Sequence, residues 1–386
     1  MFKISTKNKI ADCGLNELPK ENFKVDDNEK NPDAIMLRSY VLPEDELTSG
    51  LQAIGRAGAG VNNIPVDACA EKGIVVFNTP GANANGVKEI VLAGLLLASR
   101  DIVGGINWVQ GLSGETGVAK TVEKGKAEFV GPEISGKRLG VIGLGAIGVL
   151  VANACRSLGM SVVGYDPFIS VDAAWGLSRG VRKAPDLDSL LAECDYISLH
   201  VPVNKDTKGM FNTEMFAKCK KGMRIVNSAR AELVDDASLL AAIEDGTIYC
   251  YVTDFPNEAM LGHKRIVPIP HLGASTPESE DNCATMAASQ LREYLMYGNI
   301  KNSVNFPNCE LPYAGKKRIC IIHRDVPKVI NSVTSLLANR TSNISNMLMK
   351  SKGDFAYAII DVDCPDLGGI QEEISKIENI IKVRVL

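Results

Sequence analysis

The sequence predicts an α/β chain: a doubly wound parallel sheet at the centre, a discontinuous α/β unit wrapped around it in sequence, and a small βαββαβ module at the end. Three observations predict it. A glycine-rich turn separates an apolar strand from a helix at 139–158, strands and helices go on alternating to about residue 270, and from residue 318 the rhythm changes to paired strands.

At 386 residues and 45% hydrophobic content the chain is too long for one ordinary core, so two or three globular domains are expected. A formal charge of −4 argues against a general nucleic-acid binder. Ten cysteines are present without a single CxxC, which gives neither zinc nor thioredoxin spacing; no metal is expected, and reduced, buried thiols in a cytoplasmic protein are. MFKISTKNKIADCG has no apolar core of signal-peptide length, and the longest apolar run, Ile90 to Ala98, falls far short of the ~20 residues that span a bilayer, so no membrane partner is expected.

From Met1 to about Val76, short apolar runs alternate with helix-like segments: AIML at 34–37, LQAI at 51–54 and IVVF at 74–77. Arg38 and Arg56 each follow one of these strands, which puts two cations near the carboxyl edge of a parallel sheet, where open α/β sheets bind ligands. A long apolar helix is predicted over about Asn85 to Ile106, then an extended surface arm over about Gly111 to Glu133.

Leu139 to Ile142 form a strand that runs into GLGAIG, with Gly143, Gly145 and Gly148 at the spacing of a GxGxxG fingerprint. Ile147, Leu150, Val151, Ala154 and Leu158 recur at helical spacing, and SVVGYD then forms a second strand ending at Asp166, 18 residues after Gly148. An acidic side chain near that distance meets ribose hydroxyls, so the stretch reads as a Rossmann-type dinucleotide site. Asp166 would repel a 2′-phosphate, and Pro167 and Phe168 offer no cation; NAD is expected rather than NADP.

Later strands at YISLH, RIVNSA, IYCYVTD and RIVPIP carry His200, Arg230, Asp254 with Glu258, and His271 at or just beyond their downstream ends, on the edge that holds the glycine turn. A helix over Asn282 to Tyr297 is expected to return to the first domain. The boundaries read as 1–96 for the first part of a flavodoxin-like substrate domain, 97–274 for the dinucleotide domain, 275–306 for the return segment, 307–317 for a linker and 318–386 for the ferredoxin-like module. A module behind a proline-containing linker is expected to be removable without loss of the catalytic part.

A cation, a carboxylate and an imidazole beside a nicotinamide are what oxidation of a 2-hydroxy acid requires. His271 can take the hydroxyl proton, Glu258 can fix its tautomer, and Arg230 offers a planar fork to the substrate carboxylate; Asp254 is better placed for the cofactor.

On GRAGAGVNNIPVDACAEKGIVVFNTPGAN, GLGAIG with YDP, NSARAELVDD, DFPNE and PHLGAST, the chain resembles the D-2-hydroxyacid dehydrogenase family over essentially its whole length. The resemblance implies a catalytic set of Arg230, Glu258 and His271. It implies NAD contacts at Gly143, Gly145, Ala146, Ile147, Gly148, Asp166, Val201, Ser228, Ala229, Arg230, Asp254, His271, Leu272, Gly273 and Ala274. It implies substrate contacts at Arg38, Ser39, Arg56, Ala59, Gly60, Arg230 and His271, with the first two arginines on a phosphate. The implied substrate is 3-phosphoglycerate, oxidised to 3-phosphohydroxypyruvate, in a homodimer or homotetramer whose tail resembles an ACT domain. His323, Asp325 and Asn343 sit at positions that resemble an effector site, while Lys328 stands where serine-sensing domains favour glycine. Ala59, Asn62 and Ala259 also depart from the family pattern. The alternatives are an unphosphorylated 2-hydroxy acid as substrate, and an NAD(H)-sensing corepressor-like binding protein.

Overall fold

The computed structural model describes residues 1–340, 342–363 and 367–386. The chain divides into two compact units, Met1–Asn83 with Pro277–Leu386, and Ala84–Thr276.

The first unit opens with strands β1 (Phe2–Lys7), β2 (Phe23–Val25), β3 (Ala34–Leu37), β4 (Ala53–Arg56) and β5 (Val75–Phe77). They form one parallel sheet in the order β2-β1-β3-β4-β5, the flavodoxin-like order. All four residues of β3 and all three of β5 are buried, as expected of strands covered on both faces, so their apolar runs are continuous and easy to read. β1 and β2 lack such runs, because β1 buries only Ile4 and Ser5 and β2 only Phe23, and the sequence pattern did not reveal them. Leu37 pairs with Arg56 in register, which brings the ends of β3 and β4 side by side. The long helix Pro277–Tyr297 buries Ala284, Ala287, Ala288 and Leu291 in one core with Met36, Ala53 and Phe77.

The second unit contains β6 (Arg138–Ile142), β7 (Ser161–Tyr165), β8 (Arg182–Lys183), β9 (Tyr196–Leu199), β10 (Met223–Asn227), β11 (Ile248–Thr253) and β12 (Ile266–Pro268). These are parallel in the order β12-β11-β10-β9-β6-β7-β8. The order reverses between β6 and β9, which makes their carboxyl ends the switch point where doubly wound sheets bind ligands.

The helix expected over 85–106 is two helices. Ala84–Ser99 ends, and Asp101 caps the next, Ile102–Gly111, by accepting a hydrogen bond from the Gly104 N–H at 2.8 Å. The expected extended arm is largely helical, with an α-helix at Val118–Gly125 and a 3₁₀ turn at Lys126–Phe129; the polar composition hid a helix that buries none of its residues. Val87, Val91, Leu95 and Ala98 lie in the core of the second unit, so the first segment ends at Asn83 rather than 96, and it resumes at Pro277 rather than 275.

The tail has β13 (Lys317–Arg324), β14 (Asn343–Lys352), β15 (Phe355–Asp363) and β16 (Ile380–Val385) in an antiparallel sheet ordered β14-β15-β13-β16, with helices Val329–Asn339 and Ile370–Ser375. Ile319, Ile321 and Ile360 face those helices through Val333, Leu337 and Ile374. Cys320, Ile322, Tyr357 and Ile359 instead join Phe77, Tyr294 and Leu295 in the core of the first unit. The period-2 alternation of these strands therefore serves two cores, and the tail is an integral part of the first unit rather than a module beyond a linker. Nine cysteines are free thiols, seven of them buried, and Cys364 lies outside the described residues.

Candidate active site

Gly143 directly follows β6 with φ 91°, and a Cβ there would lie 2.5 Å from the His200 carbonyl oxygen, so only glycine fits the turn. At Gly148 a Cβ would collide with the Gly143 carbonyl, which fixes the close approach of helix to strand. Gly145 has open space where a side chain would be and caps the helix Ala146–Ser157, leaving Ala146 exposed and Ile147 half-buried in its first turn. Asp166 directly follows β7, and its carboxylate accepts from the Leu144 N–H at 2.8 Å and the Phe168 N–H at 2.8 Å. The acid is thereby locked beside the glycine turn.

The carboxyl ends of β9 to β12 supply the remaining groups. Val201, Ser228, Ala229 and Ala274 are half-buried, Gly273 is buried against Val87, and Leu272 is exposed. Ser228 Oγ and Asp254 Oδ1 are sealed from solvent without a partner among the described residues. Two buried, unmatched polar atoms beside a glycine cradle and a free helix N-terminus fit a bound dinucleotide, whose amide, hydroxyl and phosphate groups would match them.

Asp254 is 3% exposed, and burial raises its pKa, opposed by the charges of His271 and Arg230. Both His271 and Arg230 thus lie within electrostatic reach of Asp254. His271 packs its ring on Phe255, centroids 4.7 Å apart at 60°. Glu258 stands exposed on a turn held by Asn257, whose Oδ1 accepts from the Ala259 N–H at 3.1 Å and whose amide donates to Asp236 at 2.6 Å. The expected Glu258–His271 hydrogen bond is absent from the described residues. The turn depends on Asn257, and the charge of His271 is one of the influences that oppose the burial-driven rise of the Asp254 pKa.

Arg230 is exposed, and its Nη1 donates to the Ala229 carbonyl at 2.7 Å. Asn227, fully buried at the end of β10, shapes the loop that carries it. Its Oδ1 accepts from the N–H groups of Ala229 at 3.1 Å and Arg230 at 3.3 Å, and its Nδ2 donates to the Arg230 carbonyl at 2.9 Å. Sequence reasoning passed over Asn227, although an Asn at a strand end just before a functional loop is a side chain able to replace backbone turn bonds.

In the first unit, Arg56 Nε donates to the Arg38 carbonyl at 3.2 Å. Ser39 is exposed with its N–H on Asn8 Oδ1 at 3.1 Å, Ala59 is exposed with its carbonyl on Asn78 at 2.6 Å, and Gly60 is half-buried. Among the described residues no group of three or more His, Cys, Asp or Glu could hold a metal, and no helix is long and apolar enough to cross a membrane.

The sheet order, glycine turn and Asp166 define the second unit as a dinucleotide-binding domain, and residues 92–273 match the NAD-binding domain of D-isomer specific 2-hydroxyacid dehydrogenases. The chain is 32% identical over 353 residues to the D-3-phosphoglycerate dehydrogenase of Haemophilus influenzae, covering 88% of this chain and 82% of that protein. The chain belongs to the D-2-hydroxyacid dehydrogenase family. It is also 32% identical over 308 residues to the D-3-phosphoglycerate dehydrogenase of Rattus norvegicus, across 77% of this chain and 55% of that one, so it spans about half the length of such relatives. A crystal structure of NAD⁺-bound 3-phosphoglycerate dehydrogenase from Entamoeba histolytica is similar at a TM-score of 0.61 and 28% identity, over 79% of this chain and 98% of that one.

Proposed function

We propose that this protein oxidises 3-phospho-D-glycerate to 3-phosphohydroxypyruvate, the first step towards serine. The observation that carries the reading is the pair of arginines at the ends of adjacent strands, in a chain whose other unit groups Arg230, Asp254 and His271. NAD, when bound, supplies the hydride acceptor. Arg230 holds the substrate carboxylate through its planar fork. His271 takes the hydroxyl proton as general base and returns it in the reverse direction; Phe255 fixes the plane of its ring. Asp254 stabilises the imidazolium across the site, and Glu258 reaches His271 only if its turn moves when ligands bind. Arg38 and Arg56 recognise the phosphate. Ser228 and Asp254 present acceptors to the cofactor, and Asp166 faces its ribose. We further assign the protein to the cytoplasm, as a homodimer or homotetramer, and its antiparallel tail to the ACT type.

One observation favours the reading with an unphosphorylated acid: Arg38 is already matched by Glu280. Following reduced-nicotinamide absorbance with 3-phosphoglycerate, D-glycerate and D-lactate separates the two. Strong preference for the phosphorylated acid is expected, and equal rates on glycerate would remove the phosphate from the reading; no reduction with any acid would leave the binding-protein alternative.

A further inference from the structure

Arg38 Nη1 lies 2.7 Å from Glu280 Oε1, and the two side chains are 40% and 44% exposed. Glu280 belongs to the first turn of the helix Pro277–Tyr297, within the same unit as both arginines. Arg56 is half-buried beside the pair, its Nε tied to the Arg38 carbonyl, and its pKa is lowered by burial and further by the Arg38 charge, with Cys283 opposing. The cluster therefore holds two cations and one internal carboxylate. A half-exposed ion pair of this kind is weak and displaceable.

We infer that Glu280 is the resident counter-ion of the Arg38–Arg56 pair and sets what the pair accepts, favouring a dianionic phosphate monoester over a substrate that carries a second carboxylate in its place. This rests on the reading that these arginines take the substrate phosphate. A monoanionic carboxylate that displaced Glu280 would exchange one carboxylate for another and gain little. A phosphate dianion brings more charge and three acceptor oxygens, enough to engage both guanidinium groups at once. The internal carboxylate thus acts as a threshold, and rejection of the weaker anion comes from competition rather than from shape.

The test uses the full chain with Glu280→Gln and steady-state kinetics on 3-phosphoglycerate and D-2-hydroxyglutarate, whose distal carboxylate stands close to where the phosphate would be. The preference for the phosphate substrate, as a ratio of kcat/KM values, is expected to fall by about twofold to fivefold, the range a surface ion pair can supply, with most of the change in KM. Glu280→Asp, which keeps the charge, is expected to restore part of the ratio. A fold defect lowers both substrates together and leaves the ratio unmoved, so a melting curve identifies it. An unchanged or increased ratio in a folded Glu280→Gln protein overturns the inference. If the wild-type protein does not prefer 3-phosphoglycerate over D-glycerate, the phosphate reading fails first; if it does and the ratio stays fixed, only the role of Glu280 is lost.

Discussion

Asn227 Nδ2 donates to the hydroxyl of Tyr251 across 3.0 Å, and both side chains are sealed in the interior. The bond ties the end of β10 to β11 below the loop that carries Arg230. With its contacts to Ala229 and Arg230, Asn227 uses both ends of its amide, so its deletion takes away the acceptor of two backbone N–H groups and the donor to the Arg230 carbonyl and the buried Tyr251 hydroxyl. Asn227→Ala is expected to cost about 2 kcal/mol of stability and, by releasing Arg230, on the order of 10- to 100-fold in kcat/KM. Tyr251→Phe removes one bond and should cost about 1 kcal/mol with a smaller kinetic effect. Wild-type kcat/KM in Asn227→Ala would show that Arg230 holds its place without this support.

His271→Ala is expected to lower kcat by roughly 100-fold or more, in the range that general acid–base catalysis contributes, while NAD affinity changes little. Titrating NAD by quenching of protein fluorescence, alongside turnover, separates the two effects. Near-normal turnover would remove His271 from the mechanism. Because the ring rests on Phe255, Phe255→Ala should give a smaller loss in the same direction.

The glycine turn, Asp166 and the strand ends were legible in sequence because each is a local pattern: a continuous apolar run, a fixed glycine spacing, an acid at the next strand end. What could not be read was long-range. Glu280 is 242 residues from Arg38, and nothing near either residue announces the ion pair. Tyr251 reads as an ordinary strand aromatic until β10 is known to lie beside β11. The helical arm at 111–133 failed for a different reason. Its helix Val118–Gly125 sets Val118, Ala119 and Val122 on one side, but eight residues that follow one glycine and end on another are too few for that spacing to stand out from the polar residues around it.

His200 supplies a pH dependence. Burial depresses its imidazole from the ordinary 6.5 to about 4, its Nε2 is 2.8 Å from Ser198 Oγ, and its Nδ1 is enclosed with no partner among the described residues. In the folded protein the ring stays neutral down to about pH 4, whereas in the unfolded chain it takes a proton near 6.5. Its contribution is therefore intact above pH 6.5, declines as pH falls from there, and is lost once pH passes about 4, to a limit of about 3 kcal/mol. Both tryptophans, Trp108 and Trp175, lie in the second unit with His200, so their fluorescence reports its unfolding. Urea curves at pH 7 and pH 4.5 should separate more for the wild type than for His200→Asn. Equal separation would mean that carboxylates alone carry the acid sensitivity.

Removal of the tail is the prediction that the structure reverses. A helix leaves its last carbonyls without intrahelical partners, and for Pro277–Tyr297 the tail provides the donors. Arg384, 8% exposed, donates to the carbonyls of Tyr294 at 2.9 Å and Leu295 at 2.7 Å. Arg318, fully buried and held by two bonds to Asp361, donates to Tyr297 at 2.8 Å and Leu311 at 2.9 Å, and the Tyr357 hydroxyl donates to Gly298 at 2.6 Å. Cations at this end also complement the helix dipole. Truncation after Ala314 would expose these carbonyls together with Tyr294, Phe306 and the rest of the shared core. The shortened chain is expected to be insoluble, or to lose cooperative unfolding and activity together. Arg384→Met, similar in volume but without donors, should destabilise the full chain by about 1–3 kcal/mol, because the Leu295 carbonyl loses its donor while that of Tyr294 keeps only the Gly298 N–H. A soluble 1–314 chain that melts cooperatively and keeps its turnover would show that the helix can cap itself and that the tail is removable after all.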